Sequence, residues 1–125
     1  VALALPALVR AAKLQRRAAR VGFDWPDITG PLAKCHEELA EVEEALAQRD
    51  QRQVEAEIGD LLFAVVNLAR FAGVEAEQAL HSSNRRFVAR FGYIEQQLRQ
   101  QGEECAEVTL QRLEELWRQA KLAEQ

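Results

Sequence analysis

The chain has 125 residues, 48% of them hydrophobic, and a formal net charge of -4. That length suits one domain, residues 1–125, burying roughly two-thirds of its unfolded surface, and the acidic balance argues against nonspecific nucleic-acid or anionic-membrane binding. The longest apolar run, Leu61 to Val66, is too short to cross a bilayer, and with no basic leader or cleavage signature at the start the expected location is the cytoplasm.

Ala, Glu, Leu, Gln and Arg dominate while Pro and Gly are scarce, which predicts an all-α chain. A first helix is expected from about Leu3 to Arg20. Two glycines and a proline then break the pattern in Val21–Gly30, a loop carrying Phe23 and Trp25. The second helix is expected from about Pro31 to Gln48, with Leu32, Cys35, Leu39, Val42 and Leu46 as one narrow buried stripe. The third, about Gln53 to Ala72, is expected to bury Val54, Ile58, Leu61, Leu62, Val65 and Leu68 and to end at Gly73 in a left-handed cap. The short link between the two predicts antiparallel neighbours. A fourth helix, about Ala76 to Gln101, carries Leu80, Asn84, Phe87, Phe91, Ile94 and Leu98 at four-three spacing and stops at Gly102. Thr109 is placed to cap a fifth helix bearing Leu113, Leu116, Trp117 and Leu122. The expected fold is a bundle of about five helices whose slender apolar stripes are completed by homodimerisation. Cys35 and Cys105 lack zinc-like spacing and are expected to be reduced. No methionine occurs, even at position 1, as in a trimmed chain or a fragment.

Two acidic pairs stand out: Glu38 with Glu41, and Glu57 with Asp60. A three-residue step turns a helix by about 300°, so each pair stacks its carboxylates along one edge. The bland reading is a solvated acidic face, because Glu is an excellent helix former. Against it, Glu37, Glu38, Glu41 and Glu44 repel one another, and only Lys34 lies near enough on the same helix to offset them. Glu57, Asp60, Ala64, Asn67 and Phe71 also share an edge beside the apolar stripe, where carboxylates would be partly buried and in need of a cation. An all-oxygen set favours Mg²⁺, Mn²⁺ or Ca²⁺ over zinc. Arg86 and Arg90, one turn apart, follow Asn84 and would complete a pocket for a phosphorylated ligand. Taken singly, paired arginines are ordinary surface charge and a buried Asn fixes packing register.

The segments Val21-Gly22-Phe23-Asp24-Trp25, Glu37-Glu38-x-x-Glu41, Glu57-x-Gly59-Asp60-Leu61-Leu62-Phe63-Ala64, Val66-Asn67-Leu68-Ala69-Arg70 and Asn84-Arg85-Arg86-Phe87-x-x-Arg90-Phe91 occur in that order. In order and spacing the chain resembles the MazG-type nucleoside triphosphate pyrophosphohydrolases of the all-α NTP pyrophosphatase superfamily, in particular the C-terminal catalytic domain of two-domain members. The resemblance implies a dimerising helical bundle that converts an NTP or dNTP and water to the monophosphate and pyrophosphate. It implies Mg²⁺, with Mn²⁺ as a substitute, on Glu38, Glu41, Glu57 and Asp60, and Glu37 orienting or activating water. Arg86, Arg90, Trp117 and Lys121 are implied in phosphate or nucleotide contact, Arg86 standing where the family pattern has lysine. Lys34 is counted with the substrate-binding residues. Phe23, Trp25 and Trp117 are the stacking groups available for the base, with core packing an equal alternative for each; Asn67 and Asn84 are assigned either to sugar or base or only to positioning ligands, and broad nucleotide specificity is expected. Within the superfamily a dUTP, dCTP or phosphoribosyl-ATP pyrophosphatase is the alternative. From another class, the alternative is a nonenzymatic helical interaction module whose acidic edge is solvated. A di-iron bundle lacks its Glu-x-x-His pairs, since His36 and His81 do not follow a Glu at that spacing.

Overall fold

A computed structural model describes residues 1–124. Among them are five α-helices and no strand: α1 (Ala7–Arg20), α2 (Thr29–Ala47), α3 (Gln51–Phe71), α4 (Ala76–Gln100) and α5 (Leu110–Ala123), with a 3-10 turn at Cys105–Glu107 before α5. The all-α expectation holds, and the boundaries differ where local chemistry intervenes. Pro6 is the N-cap of α1 in extended backbone (φ -52°, ψ 144°), so that helix starts at Ala7 rather than near Leu3. α2 starts at Thr29, two residues before Pro31, with Ile28 as its N-cap and no side-chain cap on it, and just ahead of it the Asp27 carboxylate accepts from both the backbone N–H and the hydroxyl of Thr29. Gly73 (φ 73°) and Gly102 (φ 71°) occupy the left-handed positions expected after α3 and α4. Thr109 caps α5, its hydroxyl accepting from the N–H of Arg112 at 3.2 Å.

The chain forms two compact units, Val1–Ala79 and Leu80 onward. In the first, α2 and α3 pack along each other as a hairpin and α1 lies against α3. The link between α2 and α3 is Gln48-Arg49-Asp50. Arg49 takes the left-handed conformation (φ 57°), and the Asp50 carboxylate accepts from the N–H of Gln53 at 3.3 Å. Val42, Ala45, Val54, Ala64 and Val66 are buried. Two polar ties close the unit. Gln15 Nε2 donates to the carbonyl of Phe63 at 2.9 Å, fastening α1 to α3. Arg70 grips the Asp24 carboxylate with both terminal nitrogens, at 2.6 and 3.2 Å, fastening the loop to α3. In the second unit Ile94, Leu98 and Leu116 form the core, with Cys105, Val108, Leu113 and Trp117 packed on it.

The predicted stripes are only partly buried within the chain. Leu32, Leu39 and Leu46 on α2 and Ile58, Leu62 and Val65 on α3 are all exposed, between 43% and 57%. The hydrophobic residues buried in this unit are smaller, and these larger side chains form an uncovered apolar ridge. On α4 the buried part of the stripe is Ile94 and Leu98, whereas Leu80, Phe87 and Phe91 are exposed. Asn84 is also exposed, which removes its expected role as a buried register-fixing residue.

The loop aromatic Trp25 lies on the backbone of α2. A Cβ on Gly30 would meet its ring at 2.5 to 2.9 Å, closer than any real contact. Gly30→Ala is therefore expected to displace the indole and cost about 1–3 kcal/mol, read as a lower denaturant midpoint with altered tryptophan emission.

Candidate active site

The three-residue spacings on α2 and α3, together with the tight hairpin, bring carboxylates from both helices together. Glu38, Glu41 and Glu57 each place an oxygen within 4.8 Å of the other two. Glu38 is buried and the other two are half-buried. Each outer member is held by a neighbour one turn away. Lys34 Nζ lies 3.1 Å from Glu38 Oε1 and 3.5 Å from Glu37 Oε2, while Gln53 Nε2 donates to Glu57 Oε1 at 2.6 Å. Their other oxygens, Glu38 Oε2 and Glu57 Oε2, are buried without any hydrogen-bond donor. Buried acceptors in that state are costly, and three carboxylates this close cannot all ionise cheaply.

The electrostatics show it. The hydrogen bond to Glu57, burial and the charge of Glu38 push the Glu41 carboxyl up to about 7. Lys34 is raised above its ordinary value, chiefly by its hydrogen bond to Glu38. Orphaned, hard, anionic oxygens are the donor set that Mg²⁺ or Mn²⁺ takes, so the residues present fit such an ion, held by Glu38, Glu41 and Glu57.

Asp60 stands outside this trio. It is exposed, in contrast to the partial burial expected of it, and lines a cavity of about 620 Å³ whose wall also includes Glu38 and Lys34. The rest of that wall includes Phe23, Trp25, Gln15, Asn67 and Arg70, so a carboxylate of the trio and the loop aromatics share one enclosure. Asn67 Oδ1 accepts from Arg70 Nε at 3.0 Å and Nη2 at 2.8 Å, which leaves its Nδ2 as a donor. Glu37 is exposed and carries the longer of the two Lys34 contacts.

The second unit gathers the other expected residues. Arg90 makes a bidentate pair with Glu124 (2.9 and 3.1 Å) and lies over the Trp117 ring at 5.3 Å. The Glu124 carboxyl is held below its ordinary value by that hydrogen bond first, against some burial, with the charges of Arg90, Arg86 and Lys121 adding to the effect. Arg86, Arg90, Trp117 and Lys121 therefore share one neighbourhood, whereas Asn84 is exposed with no role assigned by its contacts. Sequence reasoning overlooked the Asp24–Arg70–Asn67 chain and Gln15. The latter had a legible signal, since Gln15 sits on α1 one turn from Ala11, Ala18 and Ala19, a polar residue on a small apolar face.

Residues 30–92 match the MazG nucleotide pyrophosphohydrolase domain. The chain is 44% identical over 117 residues to a nucleoside triphosphate pyrophosphohydrolase/pyrophosphatase MazG of Thermotoga maritima, covering 94% of this chain and 45% of that protein. It is 47% identical over 122 residues to a nucleoside triphosphate pyrophosphohydrolase of Escherichia coli, covering 96% and 46%. A Bacillus subtilis protein named only as uncharacterized, YabN, is 43% identical over 74 residues, 59% of this chain and 15% of its own length. The chain thus spans about half the length of the two enzymes it matches.

The raised Glu41 carboxyl sets a pH dependence. Between about 4.5 and about 7 the folded protein holds a proton that the unfolded chain releases, so stability declines as pH rises through that window. Without divalent ions the melting temperature is expected to fall from pH 5 to 7, and Glu41→Gln to flatten that slope. Adding Mg²⁺ at pH 6 should release a proton, detected by calorimetry in buffers of different ionisation enthalpy.

Proposed function

The chain belongs to the MazG nucleotide pyrophosphohydrolase family, and from that premise we propose that it hydrolyses nucleoside triphosphates, ribo- or deoxyribo-, to the monophosphate and pyrophosphate with Mg²⁺ as cofactor and Mn²⁺ as substitute. The observation that carries the reading is the pair of donorless buried oxygens, Glu38 Oε2 and Glu57 Oε2, beside Glu41.

When bound, a divalent ion supplies charge neutralisation of the triphosphate, polarisation of the phosphorus under attack and acidification of a water. The chain's residues do the rest. Glu38, Glu41 and Glu57 would hold the ion, and Asp60, in the wall of the cavity that includes Glu38, would be the fourth carboxylate to serve it. Glu37, exposed and paired loosely with Lys34, is assigned to orient the water. The oxygen of water bonds to one of the two phosphorus atoms of the α–β anhydride as that atom's bond to the bridging oxygen breaks. The bridging oxygen stays with the other phosphoryl group, the protons of the water pass to the product oxygens and the medium, and the products are monophosphate and pyrophosphate. Lys34 offsets anionic charge at the carboxylates. In the second unit Arg86, Arg90 and Lys121 are the cationic groups assigned to phosphate oxygens, with Trp117 beneath Arg90.

Homodimerisation is part of this reading, and the exposed ridge of Leu32, Leu39, Leu46, Ile58, Leu62 and Val65 supports it. Among the described residues no helix is long and apolar enough to cross a membrane, and the cytoplasm is the compartment we propose.

Three experiments test the reading. Incubation with each common NTP and dNTP and Mg²⁺, resolved by chromatography, should give monophosphate plus pyrophosphate. Diphosphate plus orthophosphate would contradict it. Glu38→Gln or Asp60→Asn should lower turnover about a hundredfold or more while helical circular dichroism persists. Sedimentation should find a dimer that Leu39→Lys converts to monomer.

A further inference from the structure

We propose that Gln15 contacts the nucleobase of the substrate, its side-chain oxygen accepting a hydrogen bond from a base N–H; this rests on the triphosphate reading above. Gln15 is 6% exposed and lines the 620 Å³ cavity together with the rings of Phe23 and Trp25. Its polarity is fixed. Nε2 donates to the Phe63 carbonyl at 2.9 Å, and turning the amide over would set two oxygens against each other. The oxygen Oε1 is left buried without any donor. Such an atom calls for a partner, and the amide's single bond to Phe63 leaves that oxygen with none.

The cavity answers in kind. Asn67 spends its own oxygen on Arg70 and keeps Nδ2, so two residues of the wall, Gln15 and Asn67, carry amides of fixed orientation beside aromatic side chains, one with a spare acceptor and the other with a spare donor. This is the chemistry that recognises a flat heterocycle with polar edges. Glu38, a member of the carboxylate trio, lines the same cavity, so a ligand there reaches from base-like to phosphate-like surroundings. Oε1 is closed off from bulk water, and contact with it requires the wall to give slightly. The Phe23 side chain, 83% exposed, is a part of the wall with little packing on it, although the backbone beside it is tied down through Asp24 and Arg70. Adenine and cytosine offer exocyclic N–H groups, and guanine, uracil and thymine offer ring N–H groups. A fixed acceptor therefore tolerates every common base and disfavours a ring that has no N–H.

The test compares ATP with purine riboside 5′-triphosphate, which keeps the purine and the triphosphate and lacks the exocyclic amine. With the wild-type protein and Mg²⁺, KM for the analogue should be about tenfold higher at similar kcat. Gln15→Met should raise KM for ATP towards that of the analogue and abolish the preference. Equal KM values in the wild type, which needs no variant to establish, or an undiminished preference in folded Gln15→Met, would overturn the assignment. Hydrolysis of neither nucleotide would instead overturn the triphosphate reading, and the role of Gln15 with it.

Discussion

Three carboxylates packed between two helices of one hairpin govern the first unit. Repulsion among Glu38, Glu41 and Glu57 works against the close packing of α2 on α3, yet the hairpin holds them within 4.8 Å. The hydrophobic residues buried in this unit are small, Ala45 and Ala64 among them. Lys34 and Gln53 neutralise or bind one oxygen each of the outer pair, and the Glu41 carboxyl is pushed up to about 7 by its hydrogen bond to Glu57, by burial and by the charge of Glu38. Each of these arrangements is a partial remedy. The donorless oxygens that remain show that the chain does not complete the compensation itself, which is what a cation-binding site requires of its protein.

Around that charged seam the loop between α1 and α2 is held at its middle by two adjacent residues. Asp24 is clamped by Arg70, and Trp25 lies flat against Gly30 with no room for a methyl group. The clamp also orients Asn67, because Arg70 binds both. An aromatic loop and an oriented amide are thus fixed by hydrogen bonds and packing in the wall that also includes Glu38, the pre-organisation that binding sites depend on. In the second unit the same economy recurs on a smaller scale, with Arg90 stacked on Trp117 and satisfied by Glu124.

Helix number and most helix ends were legible in the sequence because they follow from local chemistry: period 3.6, glycine at 73 and 102, threonine at 109. The start of α1 was misjudged where Pro6 redirected the backbone by its ring, and α2 starts two residues before the proline expected to open it. The convergence of Glu38, Glu41 and Glu57 was readable from spacing plus a short link. The separation of Asp60 was not, since helical phase gives an edge without giving reach across to a neighbour. Apolar periodicity likewise marked Leu32, Leu39, Leu46, Ile58, Leu62 and Val65 as an interior face, but pattern alone does not say whether the covering surface lies in the same chain. For Gln15 the sequence marks a polar residue on a small apolar face but not its partner, which is tertiary, a carbonyl on another helix.

The tight link through Arg49 has a kinetic side. Because α2 and α3 are consecutive and joined by so few residues, their pairing is local in sequence and belongs among the early events of collapse. The acid cluster is assembled in the same event, so the mutual repulsion is met on the way to the native state rather than after it. A counter-ion that quiets this repulsion thereby acts on how fast the hairpin closes as well as on what it does once closed.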